Sequence, residues 1–186
     1  MANWCYFDVC LKGNFKDIAD LFLKANYAEK KSHETKKWAS FELFREFGFT
    51  EEEIDSPNFC FTGGNIIEIS TPEFNGDEYY FYIRMELRWS PLIESFEKLR
   101  EKYPDVTMLY FAEEPGFEIY INTDKSHEYF STKYCVVDDG ESHYFDDDRS
   151  LRDYIYNETG LWISDFNKLE DKHIVMNDLV IYRYSS

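Results

Sequence analysis

The sequence has few of the residues that build a metal centre or a disulfide framework. It has four cysteines in 186 residues, at positions 5, 10, 60 and 135. Their spacing matches neither the clustered thiolates of an iron–sulfur protein nor the paired ligands of structural zinc. Scattered cysteines are typical of a reducing compartment. We therefore expect Cys5 and Cys10 to be core residues, and we expect no metal, cluster or other cofactor.

Basic residues are also scarce, with 20 Lys and Arg against 37 Asp and Glu and a net charge of −17. Such a charge disfavours direct contact with nucleic-acid phosphates or anionic lipids. No apolar run approaches the roughly 18 residues of a membrane span, and the first residues lack the basic and apolar regions of a secretion signal. These patterns predict a cytoplasmic protein that binds neither membrane nor nucleic acid. Charge alone leaves open an acidic mimic of nucleic acid.

Short catalytic and nucleotide-binding motifs are missing. The 8 glycines form neither G-x-x-x-x-G-K-[ST] nor G-x-G-x-x-G, and G-x-S-x-G and H-E-x-x-H do not occur. His33, His127, His143 and His173 stand in polar or turn-like contexts without a nucleophile beside them. No catalytic residue is therefore assigned. An enzyme whose site assembles from dispersed acids and histidines remains the alternative to a non-catalytic module.

Aromatic residues, in contrast, are abundant at 19%, which predicts a ring-rich core. The clearest pattern begins at residues 79–89, where β-formers dominate and Arg84, Glu86 and Arg88 recur at every second position. This alternation is the period of a strand with one wet face. Ser90-Pro91 then begins a helix over 91–103 with an apolar stripe on one side.

The following residues predict a strand, a tight turn and a return strand. The strand covers residues 106–111, and the turn is Glu113-Glu114-Pro115-Gly116. We expect Gly116 to adopt a positive φ in this turn, because glycine does so at no steric cost. A β-α-β unit followed by a hairpin is half of a ferredoxin-like α+β sandwich.

The rest of the chain also contains patterns typical of an α+β fold. Residues 4–11 predict a buried strand, and Asn75-Gly76 predicts a hairpin. Further helices are expected at 14–25, 37–47 and 150–158, with Thr50 and Glu53 forming a capping box. We predict one α+β domain over 1–186, ferredoxin-like, with an antiparallel sheet and helices packed on one face. A helical insertion is expected at about 28–75 and a C-terminal extension at about 125–186.

Four short motifs resemble the YubB/Api92-like family. They are Asn3-Trp4-Cys5 before an apolar strand, Trp89-Ser90-Pro91 before a helix, Tyr103-Pro104-Asp105 at the end of that helix, and Glu114-Pro115-Gly116-Phe117 at a turn. The resemblance covers about the first two-thirds of the chain, and the family's Trp-Gly-Thr-Lys-Trp segment has no counterpart. It implies a ferredoxin-like domain of bacterial, plasmid and phage proteins, without implying an activity.

Two sets of residues are candidates for binding. Trp4, Trp89 and Glu114 come from strand edges and a turn of the same predicted sheet; if exposed, they would form an aromatic wall with a carboxylate. Because aromatic residues in strands are mostly buried, we expect them to be core residues and a turn cap instead. The second set is the acidic stretch 138–148, whose six carboxylates include Asp146, Asp147 and Asp148.

The acidic stretch lacks the ligand order of an EF-hand, and charge runs are usually solvated loops. Its excess of carboxylates nevertheless predicts that a partner, if one exists, presents a basic protein surface. The leading functional hypothesis from sequence is thus a non-catalytic protein-binding or accessory module of the bacterial cytoplasm.

Overall fold

The computed structural model describes residues 3–163, 173–176 and 179–185. The chain divides into two compact units, Met1–Ile119 and Tyr120–Ser186. The strands are mostly antiparallel and the described residues include five α-helices, so the α+β class is confirmed. None of the described helices is long and apolar enough to cross a membrane.

The first unit alternates strands with helices. Its elements are β1 (Trp4–Gly13), α1 (Phe15–Thr35), α2 (Ala39–Glu46), α3 (Glu51–Ile54), β2 (Gly64–Ile69), β3 (Glu73–Phe74), β4 (Tyr79–Arg88), α4 (Ile93–Leu99) and β5 (Thr107–Glu114). Short 3-10 turns cover Pro57–Phe59 and Pro115–Phe117, and β6 (Ile119–Asn122) begins at the boundary between the units.

The sheet of the first unit runs in the order β2-β4-β1-β5, with every neighbouring pair antiparallel. β1 is therefore a central strand. Its first residue, Trp4, pairs with Arg88 at the end of β4, and Gly13 pairs with Tyr79 at the start of β4. The short β3 continues the same edge of β4 beyond β2.

One face of this sheet carries the core of the unit. On β1 the odd-numbered residues from Cys5 to Leu11 are buried, and on β4 those from Phe81 to Leu87 are buried. Phe7 contacts Phe96 of α4 with ring centroids 5.8 Å apart, and Phe81 contacts Phe22 of α1 at 5.7 Å. The alternation predicted for β4 is confirmed, because Arg84 and Arg88 are exposed between these buried residues.

Helix boundaries differ from the sequence-based expectation in two places. α1 continues to Thr35, ten residues beyond Ala25, because its buried side runs on through Ala28 and only Lys36, with φ +57°, ends it. The basic run around Lys31 is therefore helical. α4 is shorter than 91–103: its N-cap is Leu92 rather than Ser90, and it ends at Leu99.

The second unit contains a separate antiparallel sheet in the order β8-β7-β10-β9. Its strands are β7 (Tyr134–Asp138), β8 (Glu141–Phe145), β9 (His173–Met176) and β10 (Leu179–Arg183), and α5 spans Asp148–Thr159. The buried residues Val136, Leu151, Ile155 and Ile181 form its core. The helix predicted at 150–158 is confirmed.

Candidate binding site

All three tryptophans of the first unit are exposed. Trp4, Trp38 and Trp89 are 42%, 39% and 43% accessible, and the neighbouring Phe117 is 58% accessible. Tryptophan is highly buried on average, so three exposed indoles in one unit require an explanation other than packing. We call these four side chains the tryptophan end, because all of them lie where β1 begins and β4 stops.

Two backbone links bring Trp4, Trp89 and Phe117 together. Trp4 pairs across the sheet with Arg88, the residue before Trp89. The N–H of Trp89 donates a hydrogen bond to the carbonyl of Asn3 at 3.0 Å. The rings of Trp89 and Phe117 then contact each other with centroids 6.3 Å apart. Trp89 and Phe117 therefore form one aromatic surface, and the strand pairing places Trp4 beside it.

Trp38 reaches the same end of the sheet from the start of α2. Its indole lies on the backbone of Gly63, where a Cβ would stand 2.5 Å from the ring. Gly63 in turn accepts a hydrogen bond from the N–H of Arg88 at 2.9 Å. The Arg88 guanidinium lies 6.0 Å from the centre of the Trp38 ring, within the range of a cation–π contact.

Trp89 has an unusual backbone conformation. Its φ is +74°, a region in which a bulky side chain costs on the order of 1–2 kcal/mol. The hydrogen bond to Asn3 and the ring contact with Phe117 hold it there. Conformational strain of this kind concentrates at functional sites, which favours a binding role for the Trp89 side chain.

Glu114 has the role of a turn cap. It is 2% exposed, and its carboxylate accepts hydrogen bonds from the N–H groups of Gly116, at 3.2 Å, and Phe117. The expectation that Trp4 and Trp89 are core residues is therefore wrong, since both are exposed. The expectation that Glu114 caps the turn is confirmed. Glu114 acts on the aromatic surface indirectly, by fixing the turn that presents Phe117.

Glycine at position 116 fits this turn for a different reason than the positive φ predicted from the sequence. Positive φ falls on Glu118, at +55°, and not on Gly116. At Gly116 a Cβ would press on the side chain of Asn3 and would stand 3.0 Å from Glu114 Oε1. Gly116 thus leaves room for the side chain of Asn3, whose backbone carbonyl accepts the hydrogen bond from Trp89.

Cys5 lies beneath this region as a buried thiol. Burial, followed by the nearby carboxylates of Glu114 and Glu113, raises the pKa of the Cys5 thiol to about 12. The thiol therefore stays protonated at neutral pH, and a thiolate nucleophile is disfavoured at this position. Cys5 and Cys10 are both fully buried, as expected of core residues.

We expect Glu114→Ala to lower the free energy of unfolding by about 2 kcal/mol, because it leaves two backbone N–H groups without their acceptor. Glu114→Gln keeps one acceptor oxygen and should cost about half as much. Urea unfolding followed by tryptophan fluorescence measures both. Glu101→Ala, at an exposed position, is the matched control; equal losses from Glu114→Ala and Glu101→Ala would contradict the capping role.

The acidic stretch is largely engaged in local structure. Asp147 is the N-cap of α5 and accepts from the N–H groups of Arg149 and Ser150, each at 2.8 Å, which lowers its pKa. Asp148 accepts from the Tyr134 hydroxyl at 2.8 Å; burial and this carboxylate raise the pKa of Tyr134 to about 12. Asp146 is exposed. A binding role for the three aspartates stays a prediction.

The described histidine side chains lie on separate elements. His33 is on α1, 3.2 Å from Glu29; His127 is in a loop with its Nδ1 3.3 Å from the Phe130 carbonyl; and His143 is on β8, against the Tyr154 ring. The side chain of His173 lies outside the described residues. Within the described ranges, no three or more His, Cys, Asp and Glu residues group as a metal ion would require.

Sequence reasoning missed Trp38, Phe117 and Asn3 as parts of this site. Trp38 falls within the helix predicted at 37–47, whereas in the structure it is the N-cap residue that precedes α2. A signal was present for two of them, since Asn3 and Phe117 belong to the same motifs as Trp4 and Glu114. The signal for Trp38 lies in Gly63, whose missing side chain makes room for the indole.

Comparisons with known proteins do not identify the chain. No protein-family model, no curated protein and no solved structure matches it. The function is therefore inferred from the site itself.

Proposed function

We propose that this protein is a non-catalytic protein-binding module that contacts its partner through the tryptophan end. The observation that carries the proposal is the exposure of Trp4, Trp38 and Trp89 at one end of one sheet. Tryptophan is enriched among the residues that dominate the energy of protein interfaces. Exposed apolar patches on a soluble domain commonly mark such contacts.

We also propose that the first unit is a ferredoxin-like domain of the YubB/Api92-like type. The order β1-α1-β2-β4-α4-β5 with a β2-β4-β1-β5 sheet supports this, since β4 lies between β1 and β2 as in a split β-α-β arrangement. Three of the four motifs that carry the family resemblance also support it. They meet around Asn3, Trp89 and Gly116, as a shared surface would require.

The proposed partner presents a basic segment. The net charge of −17 attracts cations over the whole surface. Beside Trp4 on the same face of β1, Tyr6 is exposed and pairs with Glu86 on β4 and Glu113 on β5. Indole faces bind guanidinium and ammonium groups, as Trp38 does with Arg88. The scattered spacing of the four cysteines supports a cytoplasmic location.

The test is affinity capture from bacterial lysate with the full chain, followed by titration against the purified partner. Trp4→Ser and Trp89→Ser should each weaken binding by about 30-fold, the effect of losing an interface hot spot of about 2 kcal/mol. Because part of the attraction is electrostatic, raising the salt from about 0.05 to about 0.5 M should weaken it by about tenfold.

Trp162→Ser is the matched control. Trp162 is 62% exposed but belongs to the second unit, so its loss should leave the affinity unchanged. A captured protein that binds all three variants equally well, or that loses affinity equally with all three, would show that the tryptophan end is not the contact surface.

A further inference from the structure

A groove of about 590 Å³ opens in the first unit beside the end of α1. Its lining comes from the last turn of α1, the start of α2, α3 and the exposed edge of β2. The lining residues are Ser32, His33, Lys36, Lys37, Trp38, Phe41, Glu51, Asp55 and Asn65. The volume lies within the range of about 300–1,000 Å³ typical of small-molecule sites.

The apolar walls of the groove are aromatic. Trp38 is held in place by the backbone of Gly63, and Phe41 packs edge-on against Phe61 with ring centroids 5.9 Å apart. Trp38 is 39% exposed, whereas Phe41 is 9% exposed. Because both rings are already packed against the protein, they can contact a flat apolar group with little additional ordering, which lowers the entropic cost of binding.

Two of the charged lining residues neutralise each other. Lys37 Nζ lies 2.8 Å from Glu51 Oε1 and 4.4 Å from the centre of the Phe41 ring. Glu51 also lies 3.6 Å from Arg45. The charges of Lys37 and Glu51 are therefore already paired within the protein.

The charges that remain are Lys36 and Asp55. Within the described part of the chain, neither has an ion-pair partner. Lys36 ends α1 with φ +57°, and Asp55 ends α3. The groove thus offers a cation from one helix end and an anion from another, with two aromatic rings in the lining.

We propose that this groove binds a small zwitterion with an aromatic body, the chemistry of a free aromatic amino acid. The ligand carboxylate pairs with Lys36, the ammonium group pairs with Asp55, and the ring packs on Trp38 and Phe41. Opposite charges at the two helix ends favour a ligand that carries both signs over a simple anion or a simple cation. This site goes beyond the proposed protein contact and does not depend on it.

L-Phenylalanine is the probe, since it adds no indole signal to the protein. NMR titration should show saturable shifts of the Trp38 indole N–H, with a Kd on the order of 1 mM or below for a ligand of this size. Phenylalaninamide lacks the carboxylate, N-acetylphenylalanine lacks the ammonium group, and alanine lacks the ring. Each should bind at least about tenfold more weakly, the cost of one charge-assisted hydrogen bond or one buried ring.

Lys36→Gly and Asp55→Asn are the test variants, and each should weaken phenylalanine binding by about tenfold or more. Glycine is favoured at positive φ, so Lys36→Gly should retain or raise the melting temperature; lost binding is then not lost folding. The exposed Lys30 and Glu52 supply matched controls, Lys30→Ala and Glu52→Gln, which should bind as the parent does.

Three outcomes would overturn the proposal. They are no saturable shift with phenylalanine at concentrations of about 10 mM, well above the expected Kd, equal binding of N-acetylphenylalanine, or equal losses in the test and control variants. Trp4→Ser and Trp89→Ser should leave phenylalanine binding intact. The groove and the proposed protein contact can therefore fail separately.

Discussion

Replacing Phe96 by alanine is expected to lower the free energy of unfolding by about 4 kcal/mol, the loss typical of a buried phenylalanine. Phe96 is fully buried on α4 and joins the helix layer to the sheet. Its ring contacts are Phe44 at 5.1 Å, Phe7 at 5.8 Å, Phe47 at 6.4 Å and Tyr110 at 6.4 Å. Deleting it opens a cavity that rigid neighbouring rings cannot refill.

Equilibrium urea unfolding measures this loss, with Phe96→Leu and Phe15→Ala as comparisons. Phe96→Leu keeps most of the apolar volume and should cost about 1–2 kcal/mol. Phe15 is 64% exposed, and its ring lies 5.1 Å from that of Tyr79, so Phe15→Ala should cost about 1 kcal/mol or less. A Phe96→Ala loss no larger than that of Phe15→Ala would mean that this ring cluster is not the centre of the core.

The second large effect is expected at Gly64, where alanine should cost about 3 kcal/mol through overpacking against backbone. A Cβ at this position would collide with the carbonyl oxygen of Glu86 and stand 2.8 Å from the Cα of Leu87. Both atoms belong to β4, which is fixed between β1 and β2. The N–H of Gly64 also donates to the Ser40 hydroxyl at 3.0 Å, so any shift of β2 disturbs α2.

The substitution of the neighbouring glycine, Gly63→Ala, is the comparison for Gly64→Ala. Its Cβ would press on the Trp38 indole, a side chain that can move, rather than on backbone. We expect a stability loss of about 1 kcal/mol, but a displaced indole and a measurable loss of phenylalanine binding in the groove. Thermal unfolding and the NMR titration separate the two glycines. Equal stability losses at both positions would contradict this account.

Local patterns predicted the elements of the first unit well. The alternating charges of β4 and the capping box of Thr50 and Glu53 are fixed by neighbouring residues, and both are confirmed. Helix ends were less predictable. α1 ends at Lys36, whose backbone is in the left-handed conformation. A glycine or asparagine at this position would have predicted the helix end, whereas a lysine does not.

The site was predicted only in part, because its contacts are nonlocal. Trp4 and Trp89 were chosen from the sequence, but strand periodicity could not show that both lie beyond the buried part of the sheet. Gly63 and Gly116 make room for Trp38 and Asn3, residues distant in sequence. No local pattern specifies such a pair, and their partners emerged only from the register of β1 with β4.

The central position of β1 has a consequence for how the chain folds. β1 precedes both of its partners in the chain, which are residues 79–88 and 107–114. Contacts between segments so far apart slow folding, because a long loop must close before they form. Until residues 79–88 leave the ribosome, the apolar row from Cys5 to Leu11 has no neighbouring strand to join. The nascent chain therefore exposes this row until β4 emerges, and its second edge stays open until β5 follows.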